Sequence, residues 1–397
     1  MTDVAAPTAV RPFAVLDKLG VLIGAIGAVG AVSPFAAFRA NRIVLGEGKS
    51  ILASLPAVEG ALVCAIVAGA ILIALFRTPG IVRLAASLVA LAAILILIGH
   101  AATYLTPEGD KLARVSPAAG FWLLLFAFAL LAADALTRMK LKPVPRIGIL
   151  LAVAAGIALI LVSGTWNDLS ILKEYANRAD AFWREAQQHV LLAFGSLLVA
   201  VAAGIPLGIL CYRAPGVRAV VLNVLNLIQT IPSIALFGLL IAPLAWVAAN
   251  VPGAAAIGIS GIGAAPAMVA LFAYSLLPMV ANTVVGLDNV PPAANDAAKG
   301  MGMTDGQRLV GVELPLAFPV ILTGIRIVLV QNIGLATIAA LIGGGGFGVF
   351  VFQGIGQTAM DLVLLGAIPT VALAFAAAVV LDAVVEMVSV RGERRDD

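Results

Sequence analysis

Long apolar runs separated by short polar connections fill most of the 397 residues. About 20 consecutive apolar residues, wound as a helix, cross the hydrocarbon of a bilayer. Ten such windows are predicted, at 19–38, 57–76, 81–104, 117–137, 146–164, 189–212, 219–245, 266–286, 316–341 and 360–387. The fold class expected is therefore an all-α polytopic membrane protein with about ten transmembrane helices. The polar start holds Asp3, Asp17 and Lys18 and no small-residue cleavage site, so the first run reads as a retained helix and not as a removed signal peptide.

The pattern changes character near residue 165. The first five windows are rich in Ala, Leu, Ile and Val, with few interior polar groups. Residues 166–188 (WNDLSILKEYANRADAFWREAQQ) form a polar, partly helical connection. The last five windows carry Pro206, Asn223, Asn226, Gln229, Pro232, Asn282, Gln331 and Asn332. An amide in hydrocarbon without a partner costs several kcal/mol, so these side chains face either other helices or a wet cavity. The division expected is a membrane domain at 1–165, a linker at 166–188, a core at 189–388 and a tail at 389–397. A polar loop, 288–315, interrupts the core.

Composition agrees with the pattern, with 62% hydrophobic and 11% charged residues, against about half and about a quarter in soluble domains. Lys and Arg in short loops are retained on the cytoplasmic side. Ten spans place both termini on one face. Assigning that face to the cytoplasm puts fifteen of the 24 basic residues there, among them Arg11, Arg83, Arg138, Arg146, Arg213, Arg308, Arg394 and Arg395. Eight, including Arg42 and Lys111, fall on the other side, and Arg326 lies within a span. The net charge of +3 is then a matter of topology and does not point to nucleic acid. Cys64 and Cys211 lie inside spans as small buried apolar residues, with no metal site implied.

The interrupting loop reads PPAANDAAKGMGMTDGQRLVGVELP over 291–315. Pro291 and Pro292 stop the preceding segment, and Asn295 or Asp296 is suited to cap a short helix. Gly300 and Gly302 break that helix, and Thr304 caps a second one that ends before Pro315. Two short helices joined by a glycine turn suit docking into a groove on another protein. A merely solvated connector would not need Ala297, Ala298, Val310, Val312 and Leu314 in the cytosol.

The spacing Asp296-Ala297-Ala298, three residues, Gly302, nine residues, Val312, one residue, Leu314-Pro315 resembles the coupling motif of ABC importer permeases, with Asp and Val where Glu and Ile are usual. GIPLGIL (204–210), LNLIQTIPSIALFGLLI (225–241), LFAYSLLPMVANTVVGL (271–287) and GIRIVLVQNIGLATIAALIGGGGFG (324–348) are similar to permeases for glycine betaine, choline and related osmoprotectants. The resemblance covers residues 189–388 and implies a type I ABC importer permease core in the C-terminal half. It also implies a dimer of ATP-binding subunits seated on the loop and an external or periplasmic substrate-binding protein. A second permease subunit, identical or paralogous, would complete the assembly in a bacterial inner membrane. The first five helices match an extended subgroup and are expected to be accessory, by packing, lipid contact or regulation. The chain has no phosphate loop of the Gly-x4-Gly-Lys-[Ser/Thr] type, so it is expected to bind no cofactor itself, with ATP and Mg held on the partner.

Further positions follow from chemistry. Gln229, Thr230, Pro232 and Ser233 lie mid-span, where proline breaks the helical ladder; they form either a pathway wall or a packing kink. Asn332, Thr337 and Gly343–Gly346 fall at the outer end of the ninth span, as a mouth or a flexible loop. Arg326 lies about 15 Å above Pro315 at 1.5 Å per residue and either pairs with Asp382 or snorkels to the surface. Four Trp and four Tyr in the whole chain do not suggest an aromatic cage for a quaternary ammonium, so selectivity belongs to the binding protein. An ion-coupled secondary transporter is the alternative, but the acidic residues cluster at span ends and only His100 and His189 are present. A membrane enzyme lacks a convergent set of nucleophile, base or metal ligands.

Overall fold

The computed structural model of the chain describes residues 16–41, 44–110 and 112–393. Asp3, Arg11, Arg42, Lys111, Arg394 and Arg395 lie outside the described residues. Contacts divide the chain into one unit of Met1–Lys142 with Ala152–Lys173 and another of Pro143–Leu151 with Glu174–Asp397.

The first unit contains α1 (Lys18–Val32), β1 (Ala36–Arg39), β2 (Glu47–Lys49), α2 (Ile51–Ser54), α3 (Ala57–Leu75), α4 (Gly80–Leu105), β3 (Arg114–Pro117) and α5 (Ala119–Met139). The following α6 (Pro143–Val162) is shared between the two units. The span expected at 19–38 is shorter, because α1 has 15 residues and stops at Ser33. Pro34 accounts for the stop, since the residue before a proline is pushed out of the helical region. Residues 36–39 then form the central strand of a small antiparallel sheet of order β2-β1-β3, with Ala36 opposite both Lys49 and Pro117. This sheet is absent from an all-α reading of the sequence. Helix α1 approaches α3 so closely that a Cβ at Gly20 would lie 1.7 Å from the Ala74 carbonyl oxygen.

The first unit also holds a charge quartet, three side chains of it buried and the fourth, Arg138, exposed. Asp17 caps α1 by accepting the Gly20 N–H at 2.8 Å, and Arg138 Nη2 reaches its other oxygen at 2.7 Å. Arg138 Nε donates to Asp134 on the same helix at 2.8 Å. The fully buried Arg83 lies between the two carboxylates, 3.1 Å from Asp134 and 3.7 Å from Asp17, and donates to the Phe76 carbonyl at 3.1 Å. Three helices are thus tied at one end by two acids and two bases, where the sequence suggested few interior polar groups.

The second unit carries α7 (Ser170–Asn177), whose first turns belong to the other unit, then α8 (Ala179–Arg213), α9 (Pro215–Thr230), α10 (Ser233–Leu239), α11 (Ile241–Asn250) and α12 (Ala264–Asp288). There follow α13 (Pro292–Gly300), α14 (Asp305–Arg308), a π-helical turn (Leu309–Glu313), α15 (Leu314–Leu335), α16 (Gly348–Gly356) and α17 (Met360–Glu393). The polar connection at 166–188 is mostly helical, and α8 begins ten residues before the expected 189. The window at 219–245 is broken into α9, α10 and α11. Among the described residues nine helical stretches are long and apolar enough to cross a membrane, and α1 is a shorter apolar helix. The packing centre is α8 against α12, where a Cβ at Gly208 would meet Thr283 Cβ at 2.5 Å.

Burial pushes the Asp17 carboxyl up, but the Gly20 N–H, the Arg138 hydrogen bond and the charges of Arg83 and Arg138 outweigh it and hold the group below its ordinary 3.8. A pKa lowered by folding contributes stability above about pH 4 that is lost as pH falls through the folded value. Asp17→Asn is expected to flatten that acid limb and, by leaving the two guanidinium groups short of a carboxylate, to lower stability at pH 7 by about 1–3 kcal/mol. Thermal melting in detergent at pH 7 and pH 4 measures both effects; the same acid limb in the variant and the parent would rule out the quartet as its source.

Candidate functional site

The loop at 291–315 is built around two caps. Helix α13 starts at Pro292 after Pro291, so Asn295 and Asp296 lie inside it and do not cap it. A proline at the first helical position loses no hydrogen bond, and that sets the start earlier than the polar side chains suggested. At the other end Met301 N–H donates to the Ala297 carbonyl at 3.0 Å and Met303 N–H to the Ala298 carbonyl at 3.1 Å. Gly302 adopts φ +79 between them, a left-handed helix ending that favours glycine. Thr304 and Gln307 then form a reciprocal capping box. The second helix does not end before Pro315. It runs through the π turn into α15, with Pro315 directly after the π turn, at a junction of helical stretches and not at a free helix start. Asp296 and Ala297 are exposed, Ala298 is buried, and Val312 and Leu314 are half-buried. Met301 and Val310 present exposed apolar side chains.

Beneath this surface lies Glu313, which is buried although it sits in the loop. Arg308 Nε donates to its Oε1 at 2.9 Å, and Arg213, at the end of α8, stands 3.7 Å from its Oε2. Arg213 also donates to the Asp305 carbonyl at 3.1 Å, and Arg308 pairs with Asp305 at 3.0 Å. Sequence reasoning did not single out Glu313 or Arg213 for this role. The available signal was a lone acid between Val312 and Leu314.

Gln229, Thr230, Pro232 and Ser233 lie at the break between α9 and α10. Gln229 Nε2 donates to the Tyr274 carbonyl at 2.6 Å, and the Tyr274 hydroxyl donates to the Ile231 carbonyl. The carbonyl that the break exposes is therefore satisfied from α12. Thr230 and Pro232 are exposed, together with Asn223 and Asn226 on the same helix face of α9. Asn332 is placed differently. It is fully buried, accepting from Ser275 at 3.0 Å and donating to Ser196 at 2.9 Å, so it fastens α15 to α12 and α8. Of the two expectations for these amides, Asn332 thus follows the contact with other helices. Thr337 is half-buried.

The glycine run is held rather than loose. Glu185 accepts the Gly346 N–H at 2.7 Å, Gln188 donates to the Gly344 carbonyl at 3.0 Å, and His189 Nδ1 accepts the Phe347 N–H at 3.3 Å. Gly343, Gly345 and Gly346 all have left-handed φ values of 76 to 86. At Gly345 a Cβ would also meet Gln188 Cγ at 2.8 Å. On α15 and α17, Arg326 and Asp382 are hydrogen-bonded, and Arg146 of α6 joins the same carboxylate at 3.0 Å while bonding Glu386. Arg326 thus has Asp382 as its partner within the fold.

Residues 17–172 match the family described as ABC transporter permease YehY, N-terminal domain. Residues 204–391 match the binding-protein-dependent transport system inner membrane component family. The chain is 44% identical over 181 residues to the osmoprotectant import permease protein OsmW of Salmonella typhimurium, covering 46% of this chain and 79% of OsmW. It is 41% identical over 217 residues to OsmY of the same organism, covering 54% and 84%. It is 35% identical over 187 residues to the choline transport system permease protein OpuBB of Bacillus subtilis, covering 47% and 79%. Among solved structures, a chain of the MetNI methionine ABC transporter in an inward-facing form is similar at a TM-score of 0.44 and 23% identity, covering 52% of this chain and 96% of that one.

The charge group on α15 and α17 generates a measurable coupling. Arg326→Gln and Asp382→Asn are each expected to lower the melting temperature, the second by more, because it leaves Arg326 without its acid whereas Asp382 keeps Arg146 when Arg326 is replaced. The double variant should recover part of the loss, with an interaction energy of about 0.5–3 kcal/mol in a double-mutant cycle. Strictly additive losses would show that the two side chains do not act as a pair.

Proposed function

The chain belongs to the binding-protein-dependent transport system inner membrane component family and is a transmembrane subunit of an ABC importer, and from that premise we propose that it imports a small osmolyte such as glycine betaine or choline. A separate ATP-binding subunit, carrying ATP and Mg, docks on Asp296, Ala297, Ala298 and the exposed apolar groups around Gly302. The observation that carries this reading is the loop itself, with two capped helical starts around a left-handed Gly302 and with Met301 and Val310 left exposed. Exposed apolar side chains on a rigid polar projection are characteristic of a docking surface.

The passage follows the α9–α10 break. Asn223, Asn226 and Thr230 form an exposed polar face on a helix otherwise set among apolar segments, and such a face calls for water or a partner. A second permease subunit, a copy or a paralogue, closes the opposite wall. Selectivity resides in an external substrate-binding protein, in keeping with similarity to proteins named for osmoprotectant and choline transport. The helices of the first unit act as an accessory membrane domain, both termini face the cytoplasm, and the complex sits in a bacterial inner membrane.

Copurification with an ATP-binding subunit, and glycine betaine uptake that stops when ATP hydrolysis is blocked, are the expected results. Uptake that persists without ATP hydrolysis and collapses with an ionophore would favour an ion-coupled carrier. Gly302→Val sharpens the test: no neighbouring atom lies within 4 Å of a Cβ built there, so the cost is backbone strain of about 1–2 kcal/mol at the left-handed position. The variant is expected to insert normally yet hydrolyse ATP with little uptake, and unchanged uptake per ATP would remove the loop from coupling.

A further inference from the structure

Helix α8 is engaged at both ends by features that lie far apart. At one end Arg213 holds the Asp305 carbonyl and faces the buried Glu313, so the last turn of α8 is fastened to the π turn of the loop. At the other end Glu185, Gln188 and His189, on one face at spacings of three and four residues, hold Gly344, Gly346 and Phe347. Between Glu185 and Arg213 the helix is unbroken and spans about 42 Å at 1.5 Å per residue. Pro206 does not interrupt it, and the flanking Gly204 and Gly208 lie against Met279 and Thr283 of α12. Close packing of this kind resists bending and transmits displacement.

The two ends differ in the features that suit them to movement. A π turn holds one residue more per turn than the α-helix around it, and such turns concentrate at functional sites. Gly311 at its centre has open space around it, and the turn is fastened by charge through Arg308 and Glu313. The glycine run has three left-handed residues and depends on α8 side chains for two of its N–H groups and one carbonyl.

We infer that Arg213 and Glu313 are positioning residues for transport, forming a joint through which displacement of the docking loop moves α8 and thereby loosens or tightens the clasp on Gly344–Phe347 at the far end. This rests on the docking role proposed above and extends it to a defined route and a defined far-end contact. A cycle of nucleotide binding and release at the loop is then felt at the Gly346 and Phe347 amides.

The test uses the complete complex in proteoliposomes, with its ATP-binding subunit, its binding protein and glycine betaine as the probe solute. Hydrogen exchange of the Gly346 and Phe347 amides is compared with and without ATP plus vanadate. An allosteric coupling of ordinary size is about 5–150-fold, so at least about a fivefold change in exchange is expected in the parent protein. That change is expected to vanish in Glu313→Gln and Arg213→Gln and to survive in part in Arg213→Lys. Uptake per ATP should fall in Glu313→Gln and in Glu185→Ala, and the double variant should be no worse than the poorer single variant, since both interrupt one route. Clasp amides indifferent to vanadate in the parent protein would overturn the inference even if every variant failed to fold. Additive losses in the double variant would overturn it as well. If uptake by the parent complex needs no ATP hydrolysis, the importer reading falls and carries this one with it; ATP-driven uptake with unresponsive clasp amides sinks this inference alone.

Discussion

A polar group in hydrocarbon keeps a partner or costs several kcal/mol, and the irregular features of the second unit are the places where that demand is met. Where Pro232 separates α9 from α10, the Ile231 carbonyl takes the Tyr274 hydroxyl and Gln229 returns a donor to the Tyr274 carbonyl. Where Asn332 enters the packed interior, Ser196 and Ser275 receive both of its ends. Where Arg326 stands within α15, Asp382 and Arg146 complete the charge group. All of these lock a helix to a neighbour, so satisfying the polar group and fixing the packing are one event.

The same demand explains what could be read from the sequence and what could not. Apolar windows locate eight of the long helices to within a few residues, apart from the early start of α8, because length and hydropathy are local properties. The Thr304 cap and the Gly302 turn are also local, and both stand in the structure. Asp17, Arg83 and Asp134 escaped notice because their meaning depends on partners up to 121 residues away; each alone resembles a charge at the end of a span. Glu313 escaped for a related reason: within the loop motif it occupies a variable position, and only the approach of Arg213 and Arg308 gives it a buried partner set. For Asn332 the sequence leaves both a mouth and an interhelical contact open, because an intramembrane amide serves either, and the contact with Ser196 and Ser275 depends on distant residues. The break of the window at 219–245 is marked at Pro232, and the second interruption at Leu240 is flanked by Gly238 and Pro243, the latter in the first turn of α11.

Among the described residues prolines either bound helices or lie inside long ones. Pro34 ends α1, and Pro232 separates two helices. Pro292 opens α13 at its first position, where no hydrogen bond is lost, and Pro315 follows the π turn that leads into α15. Pro206, Pro278, Pro319 and Pro369 lie inside long helices. In a membrane these interior prolines are tolerated where neighbouring groups satisfy the freed carbonyls. Pro278 illustrates the compensation: the carbonyl it frees is that of Tyr274, four residues back, and Gln229 Nε2 donates to it at 2.6 Å. A soluble helix would lose about 3 kcal/mol at each such residue.

Basic residues at the span ends meet two requirements, one during insertion and one in the fold. Insertion reads Lys and Arg and is little affected by Asp and Glu, so a guanidinium can orient a span while the chain is being inserted and later be neutralised in the fold. Arg83 and Arg138 lie among acids in the first unit, and Arg146, Arg213, Arg218 and Arg308 pair with acids in the second. Lysine would orient a span equally well and also pairs with acids here, as Lys299 does with Asp296 and Lys173 with Asp168, but the positions that reach two acids at once are arginine. The fork of the guanidinium reaches two acceptors at once, as Arg138 does between Asp17 and Asp134 and Arg146 between Asp382 and Glu386. Topology alone therefore does not account for the residue type at these sites; the need to join two elements through one side chain does.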